Sequence, residues 1–214
     1  MTKIDRSAHD KLQGMREDNL QRDINFLFEM GNIRLIDRMW QRFWHENFAN
    51  LADHHFRVFW IAMTIAAHEK GVDTGKVAKI ALLHDITESR TGDVDYVARQ
   101  YVDRNERLAI TDMLQGTAIK QEFYALWEEY EQRESLESKI VKDADNLDVD
   151  FELAEQAASG SPLQAHWAVN RQFVAEKKLY TKTAKKIFKQ LKTSDPHTWH
   201  MSCRNRVNSG DWQK

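Results

Sequence analysis

The chain has 214 residues, enough for one domain with its own core and too few for several. Its 33 acidic and 31 basic residues leave a net charge of −2, which excludes broad electrostatic attraction to a nucleic-acid polymer or an anionic membrane. The one cysteine, Cys203, excludes an intrachain disulfide, no run approaches the roughly 20 apolar residues of a membrane span, and residues 1–6 carry no signal-like apolar core, so a cytoplasmic protein is expected.

Two prolines and eight glycines, with abundant Ala, Leu, Glu, Lys and Arg, predict an all-α fold. The first helix is expected over about 18–30, stopped near Gly31-Asn32, and a short second one over about 33–43. A third follows Asn50, a good N-cap with Asp53 three residues on, and runs to about Lys70 with Gly71 behind it. The fourth spans about 74–89 and ends before Gly92-Asp93. Others are expected over about 103–116, 118–131 and 135–158, the last closed by Gly160-Ser161-Pro162. Two more cover about 163–178 and 181–192. Lys182, Lys185, Lys186 and Lys189 form a solvated face on the second of these. The tail after Ser194, with Trp199 and Trp212, is expected to pack on the body, because disordered tails are poor in aromatics.

Chemistry concentrates on three of these helices. In the third, Leu51, His54, Val58, Ile61 and Ile65 recur at steps of three and four and form the inward stripe. His54 belongs to it, whereas His55 lies about 100° around the helix. In the fourth, Val77, Ile80 and Ala81 lead into His84 and then Glu88, with Asp85 flanking the same point. A buried Glu is rare unless paired or functional. In the seventh, Ile140, Ala144, Leu147, Phe151 and Ala154 face inward, with Asp145 at the edge.

Each position alone also has a plainer reading. His54 could be a core histidine bonded to a carbonyl, Asp85 and Glu88 a polar helix end, and Asp145 part of a charged flank with Asp143, Asp148 and Asp150. Together, His54, His84, Asp85 and Asp145 make a mixed nitrogen–oxygen set suited to one divalent metal ion (Mn, Co, Mg, Zn, Ni or Fe). Such a site suits hydrolysis of a phosphate ester. The sequence has no glycine-rich phosphate loop and no serine elbow, so direct attack by an activated water is the expected route.

These residues resemble the HD-domain phosphohydrolase superfamily, whose signature is a His, a His-Asp doublet and a distant Asp around one metal. The resemblance is closest to its 5′-deoxynucleotidase branch. Three segments carry it: Ala-Asp-His-x-x-Arg-Val at 52–58, His-Asp-x-x-Glu-x-x-x-Gly-Asp at 84–93, and Leu-Trp-Glu-Glu-Tyr-Glu at 126–131 followed by Lys-x-x-Asp ending at Asp145. The resemblance covers about residues 25–160. The resemblance implies a single HD-type helical bundle over 1–214, with a metal-site core at about 50–150 and additional C-terminal helices from about 161. It implies a phosphomonoesterase acting on (deoxy)nucleoside 5′-monophosphates, a small-molecule partner and a homodimer.

It also implies roles. Glu88 is the general base or water-orienting carboxylate, and Asp93 contacts the sugar or helps hold the water. Arg38 and Trp40 match an upstream Arg and Trp that contact phosphate and sugar, although Arg38-Met39-Trp40 departs from the usual spacing. Arg38 also reads as a surface arginine, and Trp40 as core or interface beside Phe43 and Trp44. Two other functions stand beside the first: another HD chemistry, on a diester or a (p)ppGpp-like nucleotide, and a metal-stabilised helical module without turnover.

Overall fold

The computed structural model describes residues 19–44 and 48–203. Among these the structure is all helix, turn and loop, with one isolated antiparallel bridge between Asp37 and Asn50. The α-helices are α1 (Asn19–Asn32), α2 (Gln41–Trp44), α3 (Leu51–His68), α4 (Thr74–Leu83), α5 (Glu88–Thr91), α6 (Glu106–Leu114), α7 (Lys120–Gln132), α8 (Leu136–Ala158), α9 (Leu163–Lys177), α10 (Lys182–Leu191) and α11 (Thr198–Met201).

The core forms where α3 and α4 pack along α8. Val58, Ile61 and Ile65 of α3 meet Val77 and Ile80 of α4 and Ile140, Val141 and Leu147 of α8, all buried. These are the inward stripes of the sequence pattern. At about 1.5 Å per residue, the 23 residues of α8 run roughly 35 Å and form the spine against which the others dock. Ala175, Leu179, Ala184 and Phe188, from α9, α10 and the turn between them, complete the same core. Lys182, Lys185, Lys186 and Lys189 lie exposed on the outer face of α10, as expected.

Three expectations change. The short helix expected over 33–43 is a 3₁₀ turn (Ile33–Leu35), an extended stretch bridged to Asn50, and the single turn of α2. The Leu51 N–H donates to the Ile36 carbonyl and Arg38 N–H to the Ala49 carbonyl, so tertiary pairing holds this stretch extended. The helix expected over 74–89 breaks after Leu83, and the His84-Asp85 doublet lies in the turn beyond it. There the His84 ring nitrogen Nδ1 is 2.8 Å from the Ala81 carbonyl, the acceptor a continuing helix would give to the Asp85 N–H. In the tail, Trp199 is 77% exposed on the single turn of α11, its ring edge-on to that of His200. Trp212 lies outside the described residues.

Candidate metal centre

Local sequence sets each donor in place. Asn50 caps α3 reciprocally with Asp53, accepting the Asp53 N–H and donating its own to the Asp53 carboxylate. This fixes His54 in the first turn. The break after α4 presents His84 and Asp85, and the middle of α8 presents Asp145. One atom from each of His54, His84, Asp85 and Asp145 lies within 4.8 Å of all the others. His54 Nε2 is 3.2 Å from His84 Nε2, 3.4 Å from Asp145 Oδ1 and 3.6 Å from Asp85 Oδ2. His84 Nε2 is 3.4 Å from Asp85 Oδ2.

Both imidazoles are aimed by their other nitrogen. His54 Nδ1 is 2.7 Å from Asp148 Oδ2, and His84 Nδ1 bonds the Ala81 carbonyl. Donation outward from Nδ1 leaves the two Nε2 atoms as acceptors facing one point with two carboxylates. That donor set fits a divalent first-row metal, and outward bonds to a carboxylate and a carbonyl are how ligating imidazoles are held. The charge field agrees. Burial and the Arg38 charge oppose a proton on His54, yet Asp145, Asp148 and Asp85 hold its pKa well above the ordinary value. Burial leads in lowering His84, against the pull of Asp85. Burial favours the neutral carboxyls, but His84 and His54 hold Asp85 low, and Lys142 and His54 hold Asp145 well below its usual range. A cation and a proton answer the same field.

Arg38 is buried beside the cluster. Its Nη1 is 3.7 Å from Asp85 Oδ2 and 3.8 Å from Glu88 Oε2, with no hydrogen-bond partner, and its Nε is 3.5 Å from Asp93 Oδ2. Glu88 is buried as well: Oε1 accepts from Arg104 Nη1 at 2.9 Å and Oε2 has no partner. Burial, then Asp85 and Asp93, push its pKa well up, against Arg38 and Arg104. Gly92, at φ 76°, turns the chain after α5 so that the Asp93 carboxylate accepts the Met39 N–H at 3.0 Å. A cavity of about 660 Å³ opens over the cluster, and Arg38, Trp40, His84, Asp85, Asp93 and Asp145 all line it.

A family model for the HD domain matches residues 30–192. The chain belongs to the HD-domain family. It is similar to the 5′-deoxynucleotidase HDDC2 of Danio rerio, with 34% identity over 119 residues that make up 53% of this chain and 58% of that protein. The HDDC2 5′-deoxynucleotidase of Homo sapiens is 31% identical over 111 residues, 50% of this chain and 53% of that protein. The chain thus spans a little over half the length of these two curated relatives. The fold is shared with a predicted metal-dependent phosphohydrolase from Magnetospirillum magnetotacticum, at a TM-score of 0.67 and 22% identity over 84% of this chain and 93% of that one.

The structure places His54, His84, Asp85 and Asp145 in the cluster, Arg38, Trp40 and Asp93 on the cavity wall, and Glu88 3.8 Å from Arg38 behind that lining, and it adds others. Asp148 supports His54, Arg104 supports Glu88, and Arg57 Nε approaches Asp148 Oδ1 at 3.5 Å. Arg57 is the arginine of the Ala-Asp-His-x-x-Arg-Val segment, three residues after His54, and that spacing was its signal. Arg104 has none, since it stands in a loop remote from every motif. His55 is also buried, with its ring 4.6 Å from that of His84, but it contributes no atom to the four-donor cluster.

Proposed function

We propose that the chain is a divalent-metal-dependent phosphohydrolase that releases phosphate from (deoxy)nucleoside 5′-monophosphates. One juxtaposition carries this reading: the nitrogen–oxygen cluster adjoins a buried guanidinium and a buried carboxylate, Arg38 and Glu88, which face each other at 3.8 Å, each with a polar atom that has no hydrogen-bond partner. In this reading His54, His84, Asp85 and Asp145 hold one ion, and Mn, Co, Mg, Zn, Ni or Fe each suits the set. When bound, such an ion polarises a phosphoryl group and lowers the pKa of a nearby water. Arg38 donates to the phosphoryl oxygens and offsets their charge. Glu88 takes the proton of the attacking water, and its raised pKa suits a base that must hold one. Asp93 steadies Arg38 and meets the sugar, and Trp40 packs against the sugar. The 5′-deoxynucleotidase names of the relatives support the substrate class.

The test is phosphate release from a panel of deoxynucleoside monophosphates by protein loaded with Mn²⁺ or Co²⁺. His84→Ala and Asp85→Ala are each expected to abolish it while helical circular dichroism persists. Full activity in both variants would remove the proposed site, and cleavage of a cyclic diester without monoesterase activity would reassign the chemistry.

We also read residues 1–214 as one domain and the protein as a cytoplasmic homodimer. No described helix is long and apolar enough to cross a membrane. Leu27 and Phe28 on α1 and Phe56 and Trp60 on α3 expose apolar surface, and two-fold dimers are the commonest assembly. Light scattering on the eluted protein measures the mass directly.

A further inference from the structure

The cavity has a direction. At one end lies the four-donor cluster. Beside it come Arg38 and Asp93, tied through the Met39 N–H and the Arg38 guanidinium. From there two short segments, 38–40 and 93–96, run together along the wall and end in Trp40 and Tyr96, whose rings lie 5.9 Å apart. The far wall is α9. Its His166, Trp167 and Asn170 line the same cavity at positions i, i+1 and i+4, one face of a helix. The Trp167 ring meets Trp40 edge-on at 4.9 Å and Tyr96 at 5.9 Å, which joins α9 to the wall that begins at the cluster.

The chemistry changes along that line. The cluster end offers a guanidinium and metal-type donors, which suit a phosphate. The α9 end offers aromatic rings, an imidazole and a side-chain amide, and His166 and Asn170 are exposed to the space. The amide presents a donor and an acceptor side by side, the pattern that pairs with the edge of a nucleobase, and aromatic rings hold the flat faces of bases. Arg133, just past α7, and Lys142 of α8 also line the cavity, and Arg171, the charged α9 residue there, is tied to Asp150.

We propose that α9 is the nucleobase-binding wall of this site, with Trp167 packing against the base and Asn170 reading its hydrogen-bonding edge. This rests on the nucleotidase reading above and adds the part of the molecule that recognises the leaving nucleoside. Neither residue takes part in bond breaking; both act on affinity and on choice of base.

The experiment compares four deoxynucleoside 5′-monophosphates with 2-deoxyribose 5-phosphate, which keeps the sugar and phosphate and lacks the base. Mn²⁺-loaded wild type, Asn170→Ala, Trp167→Ala and Trp167→Phe are assayed for phosphate release, and nucleotide binding is measured by calorimetry on the same samples. Trp167→Ala is expected to raise KM for every nucleotide about tenfold, and Trp167→Phe to restore most of it. Asn170→Ala is expected to raise KM about two- to tenfold for some bases and not others. Hydrolysis of the base-free phosphate is expected to be unchanged in Asn170→Ala and to fall less than that of the nucleotides in the Trp167 variants, because Trp167 also packs on the sugar-contacting Trp40. A parallel fall on base-free phosphate and nucleotides, or no fall on either, would overturn the assignment. If wild type hydrolyses nothing, the nucleotidase reading fails on its own, and calorimetry still decides α9: nucleotide affinity that falls in both alanine variants supports it, and affinity that is absent or indifferent to them overturns it.

Discussion

Asp148 Oδ2 lies 2.7 Å from Nδ1 of His54, one turn along α8 from Asp145, whose Oδ1 faces the other nitrogen of the same ring. One helix therefore supplies a candidate ligand and also the anchor that orients a second ligand from α3. Removing such an anchor typically costs 10- to 100-fold in metal affinity. Asp148→Asn is expected to weaken Mn²⁺ binding by about that factor, with the helical spectrum retained. Calorimetric titration of the variant measures it, and wild-type affinity would strip Asp148 of this role.

Arg104 bears on the chemistry in a different way. Its Nη1 donates to Glu88 Oε1 at 2.9 Å and its other arm reaches Glu106 Oε1 at 2.6 Å, so it holds the carboxylate and is not among the four donors. Arg104→Ala leaves Glu88 buried among Asp85 and Asp93 with one cation fewer, which raises its pKa further. The expected result is a kcat lower by about 10- to 100-fold, an acidic limb of the pH–rate profile moved to higher pH, and unchanged Mn²⁺ affinity. Arg104→Lys keeps the charge and is expected to recover part of the rate. A pH profile identical to wild type would show that Arg104 does not tune Glu88.

The candidate four-donor cluster was legible in part because helical periodicity is a statement about faces. His54, His84 and Glu88 continue apolar stripes, and a stripe that turns ionisable marks a site. Asp145 was harder, because Asp143, Asp145, Asp148 and Asp150 lie together and spacing alone does not rank them. The structure gives each its own partner: Asp143 accepts from Tyr180 N–H and Thr181 ahead of α10, Asp148 anchors His54, and Asp150 pairs with Arg171. Those partners come from segments up to 94 residues away in sequence, and no local pattern encodes them. The break after Leu83 was hidden for a related reason. A histidine ring that takes over the Ala81 carbonyl stops a helix without any glycine or proline to announce it. Trp167 carried no signal because it lies beyond the motif-bearing segment, on a helix whose apolar pattern is weak.

Core and surface positions make a paired test of the packing. Leu147 is fully buried between α8 and its neighbours, and Leu147→Ala is expected to lower unfolding stability by about 2–5 kcal/mol. Lys186 lies on the solvated face of α10, and Lys186→Ala is expected to change it by less than about 0.5 kcal/mol. Urea denaturation followed by circular dichroism reads both. A large loss at Lys186 would mean that the basic face has a structural partner.

The pairing of Glu29 with Arg90 links α1 to α5, the short helix that begins with Glu88. Arg90 Nε and Nη2 reach the two Glu29 oxygens at 2.6 and 2.9 Å. The hydrogen bonds from Arg90 lower the Glu29 pKa below its ordinary 4.5, against partial burial. The folded state therefore binds this proton less readily than the unfolded state does. The stabilisation is present above the ordinary value and is lost as pH falls through the lowered one. Solvent screening limits it, so Glu29→Gln is expected to cost about 0.5 kcal/mol near neutral pH. The gap from wild type should close as pH falls below the ordinary 4.5 and through the lowered value, and it should narrow in high salt. Thermal melts of both proteins across that range measure it, and a gap independent of pH and salt would assign the loss to packing rather than to the charge pair.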